Sequence, residues 1–164
     1  MRLFFLRHGD AELGGPGSDS DRILSAEGIT QAECVSRAVR VLKLSLTAIL
    51  SSPLVRAHQT AEIVAKQFPA ISVQVFEHIG PASDPQNLFR ELRSFHRDGR
   101  ILIVSHEPYI SHCIAGLVGG SGESKISIKK GSLASVEVGS PVQRGAGILL
   151  WILINEQMKL MNSR

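Results

Sequence analysis

Two arginines and two histidines of this chain are spaced so that one sheet could gather them: Arg7-His8, Arg56 and His106. A guanidinium offers a planar fork of donors to an oxyanion, and a neutral imidazole beside it is a possible nucleophile. Two guanidinium groups and two imidazoles, set next to helix N-termini with free N–H groups, would make a site for a doubly charged tetrahedral anion. Phosphate fits that description best.

Such a site needs elements that end together. Met1 to Leu6 is apolar except for Arg2 and reads as a strand covered on both faces, delivering Arg7-His8 into a turn at Gly9. Ala48-Ile49-Leu50 reads as a second buried strand, after which Ser52 could cap a helix with Pro53 in its first position and Arg56 one turn in, running to about Phe68. Ile101 to Val104 is a further buried strand, and His106 follows it. Open α/β sheets place their ligands at the carboxyl ends of the strands, so the four side chains should converge there.

The remaining chain alternates in the same way. Ser25 reads as the N-cap of an amphipathic helix carrying Ile29, Ala32, Val35, Val39 and Leu42 at helical spacing. Ile71 to Phe76 alternates like a strand, Gly80 to Pro85 reads as a loop, and Asn87 to about Arg97 as a helix. Tyr109 to Leu117 reads as a helix closed by Gly119-Gly120, and Leu133 to Val138 with Ile148 to Ile154 as an antiparallel hairpin at the sheet edge. The expected fold is a three-layer α/β/α sandwich with a mostly parallel central sheet.

The composition sets limits on function. A chain of 164 residues, 43% hydrophobic and 20% charged, is expected to form one globular domain over 1–164. The balance of 18 basic against 15 acidic residues, with no long basic run, does not suggest nucleic-acid binding and favours anionic ligands modestly. Cys34 and Cys113 lack metal or redox spacing and read as reduced core residues. The apolar start is too short for a signal-peptide core and no membrane span follows, so a cytoplasmic protein is expected.

Leu6-Arg7-His8-Gly9, Leu24-Ser25-x-x-Gly28-x-x-Gln31-Ala32, Ser52-Pro53-x-x-Arg56-Ala57-x-Gln59-Thr60-Ala61 and Val104-Ser105-His106 resemble the histidine phosphatase superfamily in order and spacing, over roughly residues 1–110. The resemblance implies the phosphoglycerate mutase-like fold. The short chain, its Arg7-His8-Gly9-Asp10-Ala11 opening and the 49 residues between Arg56 and His106 look most like the SixA-type phosphohistidine phosphatase branch, with little room for a lid. It further implies that His8 takes up the phosphoryl group and that water then hydrolyses the phosphohistidine, with net retention at phosphorus. Arg7, Arg56 and His106 would bind the nonbridging oxygens together with Gly9, so that no metal or cofactor is required. Charge repulsion from Arg7 and Arg56 should hold the His8 imidazole neutral.

Mutases and phosphomonoesterases of the superfamily place a carboxylic acid between the second arginine and second histidine, and here Glu77 and Asp84 are the candidates, neither in a matching motif. An imidazole leaves from a phosphoramidate far more readily than an alkoxide from an ester without an acid, which favours phosphohistidine in a signalling or phosphotransfer protein as the substrate. Small phosphomonoesters, a mutase reaction and a noncatalytic phosphate-binding module are the alternatives. Arg22 could reach the phosphate rim or remain a solvated loop residue. Glu107 reads as a helix-start carboxylate, Asp10 as a turn residue, and Lys125, Lys129 and Lys130 as the charged edge of a hairpin or as a basic lip for a protein substrate. His58, His78, His96 and His112 share no metal spacing, and Gly14-Gly15-Pro16-Gly17 reads as a flexible loop.

Overall fold

The computed structural model describes residues 1–13, 18–120 and 125–163; the Gly14-Gly15-Pro16-Gly17 run lies outside the described residues. Six strands form one sheet in the order β3-β2-β4-β1-β5-β6. These are β1 (Arg2–Arg7), β2 (Ala48–Ser51), β3 (Val73–Val75), β4 (Arg100–Ser105), β5 (Leu133–Val138) and β6 (Gly147–Leu153). β3, β2, β4 and β1 run parallel, and β5 pairs antiparallel with both β1 and β6. The mostly parallel sheet and the terminal hairpin match the sequence pattern.

Alternation along the central strands divides the core. Leu3 and Phe5 of β1, with Ile101 and Ile103 of β4, pack against α3 (Pro85–Leu92) and α4 (Tyr109–Gly119) through Leu88, Phe89, Ile110 and Ile114. Phe4, Leu6, Leu102 and Val104 face the other way, onto α1 (Ala26–Val41) and α2 (Val55–Ala65) through Val35, Val39, Ala57 and Ala61. This is the three-layer sandwich, and it explains why β1 and β4 read as continuous apolar runs rather than alternating ones. Both cysteines are free and buried in these two cores.

The caps fall close to their sequence signals. Ser25 accepts a hydrogen bond from the Gly28 N–H at 3.1 Å, and Gly120 ends α4 in the left-handed conformation at φ 75°. Asp84 caps α3 by accepting from the Gln86 N–H at 2.9 Å, with Pro85 as its first residue. α2 departs from expectation. It begins at Val55 instead of Pro53, with Ser52 accepting from the Leu54 N–H at 3.3 Å just before the helix, and it ends at Ala65 instead of Phe68. Ile29 has helical spacing but is 43% exposed.

A further helix, α5 (Asn155–Asn162), has no counterpart in the sequence reading. It packs on α1, where the Asn162 amide donates to the Cys34 carbonyl at 2.9 Å and Met158 enters the core. Its short polar sequence carries one deeply buried apolar residue, so periodicity alone does not reveal it. Among the described residues no helix is long and apolar enough to cross a membrane.

Candidate active site

β1, β2 and β4 end on the same side of the sheet, and their last residues hold the site in register. The His8 N–H donates to the Ser105 carbonyl at 2.9 Å, the Ser52 N–H to the Val104 carbonyl at 2.9 Å, and the Arg7 N–H to the Ser132 carbonyl at 3.1 Å. A cavity of about 270 Å³ opens there, lined by Arg7, His8, Asp19, Arg22, Arg56, Pro81, His106, Glu107 and Lys130 among others. All four side chains singled out by spacing thus meet. Among the described residues four cationic and two anionic side chains line the cavity, which gives it an anion preference.

His8 is 6% exposed and fixed at both ring nitrogens. Its Nδ1 lies 2.6 Å from the Gly9 carbonyl, an acceptor only, so Nδ1 carries the hydrogen and Nε2 carries the lone pair. Nε2 accepts from the Arg56 Nε at 3.3 Å. Burial pushes the His8 pKa down to about 4, with Arg56, His106 and Arg7 adding to the shift. The direction agrees with the expectation of a neutral imidazole, but desolvation outweighs the charge repulsion expected to cause it.

His106 is buried, its ring 6.3 Å from that of His8, and burial likewise lowers its pKa to about 4. Among the described residues neither of its ring nitrogens has a hydrogen-bond partner, and neither does the buried Nε of Arg7. The Arg7 Nε–H and the one N–H of a neutral His106 are therefore donors available to a guest anion in a cationic cavity. Arg7 is anchored through its NH1, which donates to the Ile128 carbonyl at 2.8 Å.

The nucleophile loop is clamped from below. Thr60 of α2 accepts from the Gly9 N–H at 3.2 Å and donates to the Arg56 carbonyl at 2.8 Å, so it ties His8's neighbour to Arg56's backbone. The N-terminus of α1 presses on the same loop. A Cβ on Gly28 would lie 1.9 Å from the Asp10 carbonyl oxygen, and one on Gly9 would lie 2.4 Å from the Gly28 carbonyl oxygen. Only glycine permits this approach, which is the physical content of the Ser25-x-x-Gly28 motif.

Asp19 is the site residue that sequence reasoning missed. It lies on a short 3-10 helix, Asp19–Asp21, and holds the Arg56 guanidinium twice: its carbonyl accepts from NH1 at 2.6 Å and its Oδ2 from NH2 at 2.9 Å. Its Oδ1 accepts from Arg22 NH1 at 3.0 Å, which brings Arg22 to the rim. Hydrogen bonds from Arg22 and then Arg56 hold the Asp19 carboxyl below the usual carboxylate range. The Asp-rich stretch Ser18 to Asp21 between His8 and α1 was the available signal, hidden inside a glycine- and serine-rich loop.

Several other candidates fall elsewhere. Glu77 is exposed and Asp84 is spent on its helix cap, so neither lines the cavity. Glu107 does line it, but its oxygens accept from the Ile128 N–H at 3.2 Å and the Ser111 hydroxyl at 2.6 Å. Asp10 accepts from Lys130 Nζ at 2.5 Å and from the Ser25 hydroxyl at 2.8 Å, which brings Lys130 to the cavity while Lys125 and Lys129 stay exposed. His58 lies 3.7 Å from Glu62 and His96 3.5 Å from Asp98, both outside the cavity, as are His78 and His112.

Comparison with known proteins agrees with this geometry. Residues 3–79 match the model of the histidine phosphatase superfamily (branch 1), a span that includes Arg7, His8 and Arg56. The chain is 29% identical over 155 residues to the phosphohistidine phosphatase SixA of Escherichia coli strain K12, covering 92% of each chain. It is also 29% identical over 143 residues to an uncharacterized protein of Picosynechococcus sp., covering 85% of this chain and 87% of that one. The solved structure of the protein histidine phosphatase SixA complexed with tungstate superposes with TM-score 0.86 at 27% identity, covering 96% of this chain and 99% of that one. The alpha-ribazole phosphatase of Shigella flexneri shares the fold at 20% identity, with TM-score 0.68 and coverage of 94% and 97%. With the phosphoglycerate mutase-like fold and the pocket in place, the family model, the SixA relative and the SixA structure together support a phosphatase of the histidine phosphatase superfamily, SixA-type.

Proposed function

We propose that the chain, as one histidine phosphatase domain over 1–164, removes the phosphoryl group from phosphohistidine in a cytoplasmic signalling or phosphotransfer protein, by way of phosphorylated His8 and without a metal. The observation that carries this reading is the pinned tautomer of His8. With Nδ1–H given to the Gly9 carbonyl, Nε2 keeps its lone pair, which rests on the Arg56 Nε–H at 3.3 Å in the wall of a cavity shared with Arg7 and His106.

In the first step Nε2 forms a bond to phosphorus as the bond to the leaving group breaks. Negative charge on the nonbridging oxygens is met by the Arg7 and Arg56 guanidinium groups, by His106 and by the cationic rim. In the second step water adds to phosphorus and the P–N bond to His8 breaks, returning the lone pair to Nε2. Preorganised charge of this kind supplies what a divalent cation supplies elsewhere. The mouth of the cavity is open: the side chains of Asp19 and Lys130 at its rim are 64% and 42% exposed. A folded protein can present its phosphorylated residue there.

The test is a panel of phosphorus–nitrogen and phosphorus–oxygen substrates at equal concentration. A phosphohistidine-bearing domain should turn over well ahead of sugar phosphates and phosphoserine. Equal or faster turnover of the oxygen esters overturns the substrate assignment, and single-turnover kinetics with excess enzyme that show binding without chemistry overturn the activity.

A further inference from the structure

Resting on the phosphatase reading above, we propose that Asp19 selects a phosphorus–nitrogen bond by accepting the N–H of the departing imidazole at the mouth of the cavity. Among the described residues two carboxylates line the cavity, and they are not equivalent. Glu107 is half-buried and pinned by a main-chain N–H and by Ser111. Asp19 stands on the solvent side of Arg56, 64% exposed, with one arginine on each oxygen. A carboxylate has about four acceptor positions, so two remain open toward an incoming group.

The chemistry is symmetric about phosphorus. His8 attacks through Nε2 while its Nδ1–H rests on the Gly9 carbonyl at 2.6 Å. A phosphorylated histidine that carries a hydrogen on its second ring nitrogen is the mirror partner: its P–N bond breaks, the electron pair stays on the leaving nitrogen, and the ring departs neutral with the N–H it brought. No proton moves, and His8 ends phosphorylated with Nδ1–H still in place. The leaving ring therefore needs an N–H acceptor of its own, and a carboxylate there favours the protonated, better-leaving form of the substrate ring. Arg22 and Arg56 keep that carboxylate ionised at neutral pH. The same negative charge opposes an alkoxide or phenolate, whose departing oxygen gains charge beside it.

Asp19 also aligns Arg56, so its loss slows every substrate, and the informative quantity is a ratio. The rates for phosphoimidazole and p-nitrophenyl phosphate are compared in wild type, Asp19→Asn and Asp19→Ala, with circular dichroism to confirm folding. Neither substrate needs a protein docking surface. The ratio of kcat/KM for phosphoimidazole over p-nitrophenyl phosphate should fall about tenfold or more, the scale of one hydrogen bond to a charged group. A ratio within threefold of wild type in both variants overturns the inference and leaves Asp19 as a clamp on Arg56. A wild type that transfers phosphoryl from neither compound overturns the phosphatase reading itself, so the two failures are distinguishable.

Discussion

Gly28→Ala sets helix propensity against packing and gives opposite signs for each. Inside a helix alanine is favoured over glycine by about 1 kcal/mol, so propensity alone makes α1 and the protein more stable. The contact geometry decides otherwise. The new Cβ would lie 1.9 Å from the Asp10 carbonyl oxygen, whereas ordinary contact begins near 3.4 Å, so the loop and the helix must part by about 1.5 Å. The obstructing atom is backbone and cannot rotate away. Asp10 follows His8-Gly9 directly, and its N–H donates to the Gln31 side chain at 2.8 Å while its carbonyl accepts from the Ser25 N–H at 3.1 Å. A shift of that size therefore reaches the nucleophile. Misplacing a reacting group by roughly 1 Å costs on the order of 100-fold in rate, so kcat on p-nitrophenyl phosphate should fall by about two orders of magnitude, with a lower thermal midpoint. Steady-state kinetics and a melting curve on the purified variant suffice. A Gly28→Ala protein with kcat within threefold of wild type and an unchanged or raised midpoint would refute the claim that this close approach positions His8.

Three further outcomes follow from the same geometry. Thr60→Val removes the acceptor for the buried Gly9 N–H and should destabilise the fold by about 1–3 kcal/mol, read as a shift in urea midpoint; no shift would mean that water takes over this bond. Arg56→Lys keeps the charge but cannot span His8 and both Asp19 oxygens, so kcat should drop about 10²–10³-fold, and a loss under fivefold contradicts the role of the guanidinium fork. His8 and His106 should each titrate near pH 4 by NMR. Because the unfolded chain binds these protons near pH 6.5 and the folded one does not until about 4, their contribution to stability is present above pH 6.5 and is lost as pH falls through that window. The loss is on the order of 3 kcal/mol per group, and an imidazole titrating near 6.5 contradicts the burial argument.

The sequence carried the site through its strand ends. β1, β2 and β4 are buried on both faces, so their apolar runs are unbroken, and the first polar residues beyond them fall at the carboxyl edge where Arg7, His8 and His106 stand. Arg56 was legible because Ser52-Pro53 marks a helix start, even though the helix begins two residues later. What stayed hidden depends on contacts between distant segments. Asp19 is an ordinary loop aspartate until folding lays it across Arg56, 37 positions away. Lys130 reaches the cavity only because β5 returns antiparallel beside β1, carrying the segment before it over the nucleophile loop. The short α5 escaped for another reason, since it contributes one residue, Met158, to the core and has no apolar stripe to read.

The central claim is that the phosphoryl group rests on Nε2 of His8. The most direct measurement is to quench the protein during turnover of a labelled substrate in alkali, map the label by mass spectrometry, and assign the phosphohistidine isomer by ³¹P NMR. The account predicts a single phosphorylated residue, His8, modified at Nε2, and no label in His8→Ala while His58→Ala retains it. Label on another residue, on Nδ1 of His8, or persisting in His8→Ala would contradict it.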